Sequence, residues 1–128
     1  MSEKSITMKL LIKEGHRILV LNAPEGYEKK IGKLPKDVEL SRKPDGIYDI
    51  IQVFVTSKAE TEAQLPRLRR ILKPKGILWV TYPKGTSKAF KVDVNRDSIR
   101  EYASTVGMEG VAIFSVDDDW SALRLKLI

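Results

Sequence analysis

Two apolar runs decide the fold: Tyr48-Asp-Ile-Ile-Gln-Val-Phe-Val55 and Gly76-Ile-Leu-Trp-Val-Thr-Tyr-Pro83. Between them lie a helical pattern starting at Ser57 and a Lys73-Pro-Lys-Gly76 turn. Nearly continuous apolar strands joined by a helix are the pattern of a right-handed crossover in a parallel sheet covered on both faces. In such a sheet ligands bind off the carboxyl ends of the strands, so the same stretch says where a site would lie.

Upstream, the pattern predicts a short helix over 8–13 ended by Gly15, and a buried strand in Arg17-Ile-Leu-Val-Leu21. Asn22-Ala-Pro-Glu-Gly26 breaks that strand, 27–31 suits one helical turn, and 37–40 suits a short strand with Val38 and Leu40 inward. Lys43-Pro-Asp-Gly46 is a turn by composition. Ser57 suits an N-cap, with Glu60 placed to complete a capping box, and Ala59, Leu65, Leu68 and Leu72 share a face. Pro66 should kink or restart that helix, because it has no N–H to give the carbonyl of Glu62. Asn95 caps a second helix, whose Ile99, Tyr102, Ala103 and Val106 recur at i, i+3, i+4, i+7, with Gly107 as the stop. Two strands, 111–116 and 121–127, follow around Asp117-Asp-Asp-Trp120, a connection short enough to force them antiparallel. No repeat, low-complexity tract or linker interrupts the pattern. The expectation is one α/β domain over 1–128: three-layered, Rossmann-like, with a mostly parallel sheet and an antiparallel C-terminal hairpin.

The chain has 128 residues, 42% apolar and 31% charged, which is ordinary for a soluble globular domain. It has no cysteine, which removes disulfides, thiolate nucleophiles and cysteine-ligated metals, and its one histidine, His16, rules out a multi-histidine site within the chain. The opening residues do not resemble a signal peptide and the apolar runs are strand-sized, so a cytoplasmic protein with no membrane association is expected. The formal charge is +6, and 65–91 holds eight basic residues and no acidic one. Arg67, Arg70, Lys73 and Lys88 could there meet phosphates or nucleic acid, or simply form a solvated helix face and loop. Nucleic-acid binding is the weaker reading, because only Tyr82 and Phe90 supply aromatic rings near the block.

At the carboxyl edge four loops should gather: 22–27, 56–57, 82–87 and 117–120. The candidate ligand-binding residues are Asn22, Glu25, Gly26, Tyr27, Ser57, Tyr82, Lys84, Asp117, Asp119 and Trp120. Aromatic, carboxylate and lysine groups converging in one place suit a small molecule, although such loops are polar in any α/β fold. Adjacent carboxylates in the turn at 117–119 cannot all aim at one ion, so no metal is expected. There is no Gly-x-Ser-x-Gly elbow, no triad partner for His16 and no Walker-type phosphate loop. Trp79 reads as core, and Trp120 either contacts a ligand or caps the core beneath its turn.

With these elements placed, the chain resembles a shortened class I S-adenosylmethionine (SAM)-dependent methyltransferase domain over nearly its whole length. The resemblance rests on residues 10–26, on Tyr48-Asp-Ile-Ile51, on Leu72-Lys-Pro-Lys-Gly-Ile-Leu78 and on Val106-Gly-Met108. At closer range the chain is similar to a group of short bacterial proteins without an assigned activity. They share Leu-Asn-Ala-Pro-Glu-Gly-Tyr, here 21–27, and Asp-Asp-x-Trp-Ser-Ala-Leu-Arg, here 117–124.

The resemblance implies a glycine-rich loop after the first strand and an acidic residue ending the second. Here Val20 stands at the usual acidic position, Asn22 at the first glycine and Pro24 at the second, and only Gly26 matches. Leu40-Ser-Arg42 ends the second strand, with Glu39 expected on the wrong face. No room remains before Tyr48 for the family's next helix, strand and helix. The function is therefore read as unknown, with a non-catalytic binding or regulatory domain on a pared-down methyltransferase fold as the leading expectation. No cofactor is predicted, SAM is not expected in the family's manner, and a small-molecule ligand or a protein would be the partner. The alternative is an enzyme working on a nucleotide or other small molecule with the carboxyl-edge loops.

Overall fold

In a computed structural model, residues 5–84 and 93–128 are described. Lys88, Lys91, Phe90 and the end of the 82–87 loop lie outside them. The elements run α1 (Ile6–Lys9), β1 (Arg17–Leu21), α2 (Tyr27–Ile31), β2 (Glu39–Ser41), β3 (Tyr48–Phe54), α3 (Lys58–Arg70), β4 (Leu72–Pro83), α4 (Arg96–Thr105), β5 (Met108–Ser115) and β6 (Trp120–Leu127). They form one six-stranded sheet, ordered β2-β1-β3-β4-β6-β5. β1 through β4 pair in parallel, and β6 and β5 join antiparallel as the C-terminal hairpin. The fold class read from the sequence is the one observed.

Strand alternation divides the core in two. Leu19, Ile51, Val53, Leu78, Val80, Leu123 and Leu125 face Leu65 and Leu68 of α3 and Ile99 and Ala103 of α4. Ile18, Val20, Ile50, Phe54, Trp79 and Ala122 face the other way, against Leu10 and Ile12 beside α1 and Tyr27 and Ile31 of α2. Helices thus cover both sheet faces, in the three expected layers. Among the described residues, no helix is long and apolar enough to cross a membrane.

Several boundaries differ from expectation. The first helix is 6–9 rather than 8–13: the Ser5 side chain accepts from the Met8 amide, and Leu11, at φ 65°, has left the helical region. β2 starts two residues later than predicted because Asp37 takes a left-handed φ of 60°. β4 begins at Leu72, which pairs with Tyr48 before a register shift, and β5 begins at Met108, directly after Gly107.

α3 runs through Pro66 without interruption, so the predicted restart does not occur. The carbonyl that Pro66 cannot serve is satisfied from the neighbouring helix, since the Tyr102 hydroxyl donates to the oxygen of Glu62 at 3.1 Å. At the start of α3 the Ser57 hydroxyl caps the Glu60 amide at 3.1 Å, while the Glu60 carboxylate accepts from Thr56 at 2.6 Å. In α4 the box is reciprocal between Asn95 and Ser98.

Candidate functional site

β1 and β3 are neighbours, yet the chain leaves them toward opposite faces, to α2 and α3. This is the switch point beside which open α/β sheets take their ligands. The loop after β1 turns sharply there. Asn22 adopts φ 60° and Gly26 φ 83°. Asparagine tolerates the left-handed region better than most residues, which is how it holds a place where glycine would be expected. The Pro24 carbonyl then accepts from the Tyr27 amide at 3.1 Å and starts α2.

Beneath α2 the loop leaves a cleft of about 420 Å³. Val20, Ile31 and Leu40 give it apolar walls, and Asn22, Glu25, Glu28 and Arg42 supply polar groups. Arg42, just past the end of β2, forms an ion pair through Nη2 with Glu28 of α2. An adjoining hollow of about 250 Å³ shares Glu28, Ile31 and Leu40. Glu39 does not line the cleft; its carboxylate pairs with Arg17 at 3.2 Å.

Asn22, Glu25, Gly26 and Tyr27 therefore gather around one cleft, and the other sequence-predicted residues fall elsewhere. The rings of Tyr27, Tyr82 and Trp120 are buried. Phe54 packs edge-on between Tyr27 and Trp120, with centroids 4.8 and 5.0 Å away. The Tyr27 hydroxyl donates to Gln52 Oε1 at 2.6 Å, and Gln52 Nε2 donates to the Thr81 hydroxyl at 2.9 Å, a buried polar chain across the sheet. Burial pushes the Tyr27 phenol well above its usual range, outweighing the bond to Gln52, and burial likewise raises Tyr82.

Asp117 is a turn builder. Its Oδ1 accepts from the amides of Asp119 and Trp120 at 2.8 and 2.9 Å, and its Oδ2 pairs with Lys30 of α2 at 2.9 Å. Burial alone would raise this carboxyl, but Lys30 and the two amides outweigh it and hold it below the usual carboxylate range. The bond to Asp117 also raises the Lys30 ammonium. Lys84 reaches the Ser115 hydroxyl at 2.6 Å, and its amide donates to the Asp119 carbonyl at 2.8 Å. Ser57 is occupied as the α3 cap. Trp79 is core, with Nε1 donating to the Leu10 carbonyl at 3.0 Å.

At the opposite, amino edge, the Nδ1 of His16 accepts from the Lys13 amide at 3.2 Å. Arg67 and Arg70 are exposed in the last turn of α3, and Lys73 pairs with Asp49 at 3.0 Å. Burial pushes the Asp49 carboxyl up, but the Arg17 amide and Lys73 outweigh it and hold it low. Among the described residues, no three histidine, aspartate or glutamate side chains are placed to share a metal ion. Sequence reasoning missed Lys30, Gln52, Thr81 and Glu28. The signal for Gln52 and Thr81 was a polar residue inside each apolar strand, whereas the Lys30–Asp117 and Glu28–Arg42 pairs carried none, being set by how α2 docks.

No family model matches the chain, and no curated protein matches it. Solved structures do. A SAM-dependent methyltransferase from Aquifex aeolicus superposes with a TM-score of 0.67 at 15% identity, over 94% of this chain and 87% of that one. A TehB-like SAM-dependent methyltransferase from Corynebacterium glutamicum gives 0.62 at 14% identity, over 97% and 86%. The CcbJ methyltransferase from Streptomyces caelestis gives 0.58 at 10%, over 95% and 87%. SAM dependence is a property of the first two of those neighbours. At these identities what the present chain shares with them is the fold, which is methyltransferase-like.

Proposed function

We propose that this chain is a non-catalytic ligand-binding domain on a methyltransferase-like fold, with a small molecule seated between α2 and the carboxyl ends of β1 and β2. The observation that carries this reading is the cleft. Its volume falls within the roughly 300–1,000 Å³ of small-molecule sites, with apolar walls and a few polar groups at one edge. The side chains competent for acid–base work are committed elsewhere: Tyr27 to Gln52, Asp117 to Lys30, Glu28 to Arg42. Glu25 and Lys29 are the other ionisable groups on the cleft wall, and both are exposed on the surface rather than buried beside a partner.

SAM fits these residues poorly. Its ribose diol calls for an acceptor and its sulfonium is cationic, whereas the tip of β2 presents the Arg42 guanidinium, and Pro24 offers no N–H. The methyltransferase neighbours favour a second reading, in which the adenosyl part of SAM occupies the cleft.

Calorimetry with SAM, S-adenosylhomocysteine and a panel of nucleotides, alongside a methyl-transfer assay on the same protein, tests both. A stabilising ligand at 100 times its Kd should add about 2.7 kcal/mol to the unfolding free energy. Binding without turnover is expected. Methyl transfer from SAM to any acceptor refutes the non-catalytic reading, and a panel with no binder refutes the cleft as a nucleotide site.

A further inference from the structure

Arg42 stands twenty residues after Asn22, at the carboxyl tip of the strand beside β1. In nucleotide-binding parallel sheets the residue about 20 positions beyond the first loop meets the ribose, where a carboxylate favours free hydroxyls and an arginine accommodates a ribose phosphate. We infer that the cleft selects a nucleotide carrying a phosphomonoester on its ribose, at the 2′ or 3′ position, with the Arg42 guanidinium as the specificity-determining group. This rests on the ligand-binding reading above and names the ligand class of that same site.

Four observations support it. Arg42 lines the cleft, and its ion pair through Nη2 to Glu28 orients the guanidinium there. Its remaining N–H donors have no hydrogen-bond partner among the described residues, so a planar fork is left to meet two oxygens of one phosphate. The acid that would compete for ribose hydroxyls is also turned away, since Glu39 points to Arg17 instead. Val20, Leu40 and Ile31 supply apolar surface for the base or sugar. Glu28 holds the fork in place and also repels the incoming anion, so it limits affinity while fixing geometry.

The test is calorimetry at fixed low salt with adenosine and its 2′-, 3′- and 5′-monophosphates, on wild type, Arg42→Ala and Glu28→Gln. Arg42 and Glu28 are exposed on the surface, so both variants should fold. The 2′- or 3′-monophosphate should bind about tenfold or more tightly than adenosine, as one charge-assisted bidentate contact warrants, with no such gain for the 5′ isomer. Arg42→Ala should erase the difference between adenosine and its 2′- or 3′-monophosphate, and Glu28→Gln should enlarge it. Equal binding of adenosine and its 2′- and 3′-phosphates, or a preference that survives Arg42→Ala, overturns the ribose-phosphate inference and leaves the cleft as a nucleoside site. No binding by any of the four overturns the ribose-phosphate inference, while a binder elsewhere in the wider panel would keep the ligand-binding reading.

Discussion

The two faces of the sheet are covered by different means. On one side α3 and α4, 13 and 10 residues long, lay Leu65, Leu68, Ile99 and Ala103 over an aliphatic floor. On the other, α1 and α2 have only 4 and 5 residues. Aromatic rings do the covering there: Phe54 sits between Tyr27 and Trp120, and Trp79 meets Phe114 at 5.0 Å. Side-chain hydrogen bonds pin the short helices, with the Thr7 hydroxyl donating to the Ile31 carbonyl at 2.9 Å and Trp79 to that of Leu10. A helix of one turn cannot persist without such anchors, and it is too short to close the sheet it covers. The cleft under α2 is the uncovered remainder.

If rings replace helix length, deleting the central ring should cost most. Phe54→Ala is expected to destabilise the domain by about 3–5 kcal/mol, and Leu65→Ala under α3 by about 2–5 kcal/mol. Denaturant unfolding reads both totals. Hydrogen exchange separates them: Phe54→Ala should deprotect 27–31 and the 117–120 turn selectively, and Leu65→Ala should not. Equal deprotection of α2 in the two variants would mean that the faces are not independent.

Tyr27→Phe comes next, at about 1–3 kcal/mol, because it strands Gln52 Oε1 in the core. This substitution also has a pH signature. The folded phenol titrates above its unfolded value of about 10, so its contribution is intact below that pH and is lost as pH rises beyond it. Wild type should lose stability in alkali, and Tyr27→Phe should lose less; identical alkaline slopes would remove Tyr27 as the cause.

How far the sequence could be read follows the same division. The long-helix face was legible because 3.6-residue spacing, two capping residues and two apolar strands all pointed the same way. The parallel sheet and the hairpin followed from connection lengths. On the other face a single helical turn has no periodicity to detect, so the ion pairs of α2 with Asp117 and Arg42 had to await its docking. Arg42 itself was visible in the sequence only as a missing acid. Tyr27, Tyr82 and Trp120 were visible as aromatic residues beside the carboxyl edge, but composition cannot say whether a ring at a strand end points into a cleft or into the core.

The long-helix side has one weak point of its own, at Pro66. Tyr102→Phe should cost about 0.5–1.5 kcal/mol by leaving the Glu62 carbonyl without its donor. In a Pro66→Ala background the restored N–H can serve that carbonyl, and the cost of Tyr102→Phe should shrink toward zero. Additivity in this double-mutant cycle would show that the phenol is not compensating for the proline.

The smallest effect belongs to the Lys30–Asp117 pair. Lys30 is half exposed, so the pair should be worth about 0–1 kcal/mol and less at high salt. Its value as a test lies in its sign with pH. The Asp117 carboxyl is held below its unfolded value of about 4, so its contribution is present above that pH and is lost as pH falls through the lower, folded value. Lys30→Ala removes one cause of the depression and keeps the Asp119 and Trp120 amides as the other. It should therefore flatten the acid limb only in part, whereas Asp117→Ala should flatten it further and also loosen the turn. If Lys30→Ala leaves the acid limb unchanged, the amides of Asp119 and Trp120 alone set the carboxyl, and Lys30 adds nothing to the docking of α2 beyond its Tyr27, Ile31 and Glu28 contacts.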